Sequence, residues 1–144
     1  MIWLEYLMGF AEHAAKKSKD STQVGAALVG PQNEIRLTGY NGPPMGVSDL
    51  SERRERPAKY LWSSHAESNV IAFAARAGIR TEDCRLFVTH HPCASCARTI
   101  IQAGIKSVVV GGGKTNMPAE EFEAAAVMFL EAGVMVHKIK GSAE

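Results

Sequence analysis

What this 144-residue chain has little of narrows its function before any motif is read. No apolar run approaches the roughly 18 residues that span a bilayer, so no membrane role is expected. Net charge is nearly absent. Sixteen Lys and Arg against fifteen Asp and Glu leave a formal +1, and no overall basic field argues for long nucleic acid as a partner. Cysteine is scarce as well. Three thiols cannot complete a set of disulfides, and Cys93 and Cys96 stand in C-x-x-C spacing, which favours a reduced, cytoplasmic protein using thiols for metal or redox chemistry. The opening MIWLEYLMGFAEHAAKK is amphipathic, carries two acids and lacks an A-x-A-like cleavage site, so it is not read as a secretion signal. Internal repeats, linkers and low-complexity tracts are missing too. The expectation is a single domain over residues 1–144, with 46% apolar residues to build its core.

The patterning that is present alternates helix and strand. Leu4, Leu7, Met8, Ala11, Ala14 and Ala15 recur at helical spacing. VGAALVG and EIRLTGY, joined by PQNE, read as a β-hairpin. Residues 41–57 are rich in Gly, Pro and charge and read as a loop. A helix opens at His65 and stops at Gly78, with Ile71, Ala74, Ala75 and Gly78 as its expected buried face. RLFVT, SVVVGG and VMVHKI then read as strands, separated by helices in CASCARTIIQAG and AEEFEAAAVMFLEAG. Such alternation implies βαβ units, which favour parallel pairing, and a five-stranded α/β sheet with helices on both faces.

Two helix starts carry unusual chemistry. His65 and Glu67 flank a single alanine where a simple cap would suffice. Cys93 and Cys96 sit one helical turn apart behind Pro92, which suits a first turn because its missing N–H would be unpaired there anyway. Thiolates at that end gain from the helix dipole. Two Cys and one His make three ligands and leave the fourth tetrahedral position open, the catalytic arrangement of zinc. His90, His91 or Cys84 could in principle close the site. Glu67 is then a non-ligand carboxylate within reach of a metal-activated water, able to take and return its proton. Taken singly, C-x-x-C also fits a redox pair or two buried thiols, and H-x-E a surface pair. His13 and His137 read as surface or helix-face residues.

H-x-E followed by P-C-x-x-C is the zinc-deaminase signature. HAESNVIAFAARAG and THHPCASCARTIIQAGI resemble the zinc-dependent cytidine deaminase superfamily. SKDSTQVGAALV, TGYNGPPMGVSD and KYLWSSHAESN resemble its deoxycytidylate (dCMP) deaminases in the same order, and with IIQAGIKSVVV and AGVMVHKI the likeness covers nearly the whole chain. The resemblance implies a three-layer, cytidine-deaminase-like α/β fold with a five-stranded mixed sheet. It implies one Zn2+ per chain on His65, Cys93 and Cys96, with Glu67 shuttling protons as dCMP becomes dUMP for thymidylate synthesis. Asn41 is implied at the sugar and base, against the plainer reading of Asn-Gly as a turn with a left-handed backbone. The Ala66 amide is implied at the base carbonyl, and Lys19, Ser21 and Lys138 at the 5′-phosphate.

The loop here lacks the extra Cys and His of members that hold a second, structural zinc. The cluster ERRERPAK, 52–59, fits phosphate, an allosteric nucleotide or a neighbouring subunit, or simply a solvated loop. The resemblance also implies a homo-oligomer, hexamer or dimer, with dCTP and dTTP as effectors. Other members act on free cytidine or deoxycytidine, on modified cytosine nucleotides, or on tRNA adenosine. The sugar-binding motif of the nucleoside enzymes is missing, and only KGSAE follows the last strand, which makes no basic surface for a folded RNA. A non-catalytic zinc-stabilised module is the alternative outside enzymes, and Glu67 speaks against it, since a structural site needs no uncoordinated carboxylate.

Overall fold

The computed structural model describes residues 1–139; the KGSAE tail, and with it the end of the expected 1–144 domain, lies outside the described residues. The elements run α1 (Trp3–Ala15), β1 (Gly25–Val29), β2 (Ile35–Tyr40), α2 (Lys59–Trp62), α3 (Ala66–Ala77), β3 (Arg85–His90), α4 (Ala94–Gln102), β4 (Ser107–Gly113), α5 (Ala119–Ala132) and β5 (Met135–Lys138). The strands form one five-stranded sheet in the order β2-β1-β3-β4-β5. β1 is antiparallel to both neighbours, whereas β3, β4 and β5 are parallel. Parallel pairing therefore holds only where a helix crosses over; the hairpin that starts the sheet reverses β1.

Alternation along the strands sorts the core into two layers. Ala27, Val29, Phe87 and Val109 pack against Leu7, Met8 and Ala11 of α1. Ala26, Leu28, Leu86, Val88, Val108 and Val110 face the other way, toward Ala66, Val70 and Ala74 of α3, Ile100 of α4 and Phe129 of α5. This is the expected mixed sheet with helices on both faces. Gly25 marks the closest approach of α1, because a side chain there would run into the Ala11 carbonyl and the Ala15 amide.

The buried stripe of α3 differs from the expected one. Ala66, Val70 and Ala74, spaced by four, face the sheet, Ile71 is half-buried, and Ala75 and Gly78 are exposed. A step of one residue turns a helical side chain about 100° away from its neighbour, so Ala75 cannot share the face of Ala74. Gly78 instead stops the helix in the left-handed region at φ 72, with the Ile79 N–H bonding back to the Ala74 carbonyl at 2.8 Å. The 41–57 stretch is loop apart from one 3-10 turn at Ser51–Arg53, and the four-residue α2 behind it had no periodic signal.

The functional edge of the sheet follows from this topology. Gly25 at the start of β1 pairs with Tyr40 at the end of β2, Ala26 with Val88 near the end of β3, and His90 with Gly113 at the end of β4. Both α3 and α4 begin at this edge, so their free N–H groups point toward one place.

Candidate metal centre and its pocket

His65 and Cys93 are the residues immediately before α3 and α4, both with extended backbones and neither using its side chain as a cap. Their side chains are thus free to turn toward each other across the two helix starts. His65 Nδ1 lies 3.5 Å from Cys93 Sγ and 3.4 Å from Cys96 Sγ. A tetrahedral zinc with bonds of about 2.0–2.1 Å to nitrogen and 2.3 Å to sulfur separates those atoms by about 3.6 Å. The three donors therefore fit one such ion, and they form the one group of three metal-capable ligand atoms among the described residues. His90, His91 and Cys84 stay outside it: His90 Nδ1 meets Thr89 Oγ1, His91 Nδ1 meets the Pro92 carbonyl, and the Cys84 thiol points to the Arg80 carbonyl.

The electrostatics suit a cation. The hydrogen bond from the Cys96 thiol lowers Cys93, and the same contact raises Cys96, so the pair favours losing its first proton. The hydrogen bond to Cys93 raises His65. Ser68 Oγ, one helical turn along, sits 3.7 Å from Cys96 Sγ as a further polar partner. Behind α4, Glu121 Oε1 of α5 accepts the Ala94 N–H at 3.1 Å, capping the helix that carries both thiols. Glu67, in the first turn of α3, is only 4% exposed, and burial pushes its carboxyl up to about 7. Glu67, His65, Ala66 and Cys93 all line one pocket.

The description of a cytidine and deoxycytidylate deaminase zinc-binding region matches residues 1–112. The chain belongs to that deaminase family. It is 42% identical to mouse deoxycytidylate deaminase over 143 residues, covering 94% of this chain and 79% of the relative. It is 41% identical over 138 residues to an uncharacterised deaminase in the luxG 3′ region of Aliivibrio fischeri, with 93% and 91% covered. Its fold matches dCMP deaminase from the cyanophage S-TIM5, solved in complex with dCMP and dUMP, at a TM-score of 0.77 and 28% identity, over 94% of this chain and 95% of that one.

The remaining walls of the deaminase pocket come from several loops. Asn41, 7% exposed, lines it with its amide already engaged: Oδ1 accepts the Val24 N–H at 2.9 Å and Nδ2 donates to the Thr22 carbonyl at 2.9 Å. Neither Asn41 nor Gly42 has a positive φ, so the plain turn reading does not hold. In the 18–24 segment Asp20 and Thr22 line the pocket, while Lys19 and Ser21 are exposed and off its lining. Lys19 instead borders a smaller neighbouring pocket with Arg53 and Arg54. Lys138 ends the outermost strand, with β4 between it and β3, and is not on the lining either.

Several lining residues were not among the individual site residues expected from the sequence. Lys59 Nζ binds Asp20 Oδ1 at 2.9 Å, with the two side chains 10% and 5% exposed. Arg56 Nε binds Tyr60 Oη at 2.8 Å. Thr115, Met117 and Phe122 close the side nearest α5. Arg56 and Lys59 belong to the ERRERPAK cluster, the one sequence signal that could have pointed to them. Among the described residues no helix is long and apolar enough to cross a membrane.

Proposed function

We propose that this protein is a zinc-dependent hydrolase that converts dCMP and water to dUMP and ammonia. The observation that carries the chemistry is the His65, Cys93 and Cys96 group with a buried, non-ligand Glu67 in the same pocket. The nucleotide reading is supported by relatives named for dCMP that match nearly the whole chain. When bound, zinc supplies Lewis-acid activation of water at neutral pH.

The chain's own residues do the rest. Glu67 takes a proton from the attacking water and hands it to N3 of the cytosine ring, then moves a second to the exocyclic amine. Water adds at C4, the C4–N bond breaks, and ammonia leaves. A buried carboxyl facing the reacting atoms can both accept a proton and return it. The Ala66 N–H, the first of α3 and without an intrahelical acceptor, takes the base carbonyl oxygen. Asn41 holds the Thr22–Val24 wall and keeps one amide proton for the sugar or base.

The test compares kcat/KM for dCMP, CMP, deoxycytidine and cytidine by ammonia release, on protein of measured zinc content. dCMP should lead by a wide margin. Equal turnover of deoxycytidine would make this a nucleoside deaminase, and no ammonia from any of the four would end the reading.

A further inference from the structure

A dianionic phosphate needs a cation that is not already neutralised. Of the two strongly basic side chains on the pocket lining, Lys59 is committed to Asp20. That buried pair is neutral as a unit, and its carboxylate would repel an anion brought against it. Of the other arginines in the same loop, Arg54 is paired with Asp49 at 3.1 Å, and Arg53 places its Cζ over the Trp62 ring, 3.8 Å from the ring centre. Arg56, like Arg53, has no carboxylate within ion-pair distance among the described residues, but it alone of these arginines lines the pocket, and its Nε is held by Tyr60 Oη. Tyr60 lines the same pocket, so the hydrogen bond that fixes the guanidinium lies at the pocket itself. With Nε tied back, both terminal nitrogens are left to form a planar fork suited to phosphate oxygens.

We infer that Arg56, oriented by Tyr60, is the specificity-determining contact for the 5′-phosphate of the substrate. This rests on the nucleotide reading above and assigns its phosphate end. The exposed position of Arg56 fits that role, since the base must reach Glu67 at the buried end while the phosphate stays near water. Tyr60 is a positioning residue: it touches the guanidinium rather than the phosphate.

The experiment measures the ratio of kcat/KM for dCMP to that for deoxycytidine in the parent, Arg56→Gln, Arg56→Lys and Tyr60→Phe, each checked for zinc content and melting temperature. Arg56→Gln should lower the ratio about ten- to hundredfold, the range of charge-assisted hydrogen bonds, chiefly through KM for dCMP. Arg56→Lys, which keeps the charge but not the fork, should fall between parent and Gln. Tyr60→Phe should lower the ratio by less and be most damaging where Arg56 is intact. A parent that prefers dCMP while Arg56→Gln keeps the full preference overturns the inference alone. A parent without any preference overturns the nucleotide reading instead.

Discussion

Glu67 is held in a place that costs the fold something, and the cost is measurable as a function of pH. Its carboxyl titrates at about 7 instead of its ordinary 4.5, with burial as the first cause. The gap, at 1.36 kcal/mol per unit, corresponds to about 3 kcal/mol. The sign follows from which form the fold favours. A buried acid with a raised value is content when protonated, so there is no penalty below pH 4.5; the penalty grows as pH rises and is complete above about 7. Glu67→Gln keeps the shape and removes the charge. In chelator-treated, reduced protein the variant should therefore match the parent near pH 4.5 and exceed it by about 3 kcal/mol at pH 8. For a chain of this size that is roughly 6–12 °C in melting temperature. Glu67 also acts on His65 and Cys96, so the difference between the two proteins carries those couplings together with the burial of the carboxyl. Scanning calorimetry at several pH values checks it. In the zinc-loaded protein the same substitution should lower kcat/KM by roughly 10²–10⁴-fold. A stability difference that does not change with pH, or a variant less stable at pH 8, would refute the assignment of the raised carboxyl.

Two further outcomes follow from the geometry. Cys96→Ser should lose the stoichiometric zinc measured by plasma mass spectrometry, whereas Cys84→Ser, altered at a buried thiol away from the cluster, should keep it. Lys59→Met strands Asp20 in its buried position and should cost about 3–5 kcal/mol in urea unfolding, most of it recovered in the Asp20→Asn/Lys59→Met double variant.

The candidate metal-ligand group was legible because its chemistry is local. His65 and Glu67, or Cys93 and Cys96, lie within one turn of a helix start, and short spacing survives whatever the rest of the chain does. Strand and helix order was legible for the same reason, since period and stop signals such as Gly78 act over a few residues. The pocket walls were harder. Asp20 and Thr22 reach the pocket and Lys19 and Ser21 do not, and the split is set by a bend in which Ser18 Oγ accepts the Asp20 N–H and Asp20 Oδ1 accepts the Thr22 N–H, a path no periodic pattern encodes. Arg56 and Lys59 sit in a loop whose path is set by tertiary contacts, the Lys59–Asp20 pair and the paired Gly42 and Ser64 amides among them. Thr115, Met117 and Phe122 are placed by how α5 docks on α4, which no short pattern encodes.

The hydrogen bond from Ala94 to Glu121 has a practical consequence for anyone cutting or recombining this chain. The family's zinc-binding region stops at residue 112, and a border drawn there looks natural. Yet the acceptor that steadies the thiol-bearing helix, and three side chains of the pocket wall, come from beyond it. A chimera joined at 112 would keep every signature residue and inherit a foreign α5. Its donor would have to supply a carboxylate at the Glu121 position as well as a compatible apolar face. The unit that can be exchanged without loss thus runs at least through α5, well past the end of the recognisable motif.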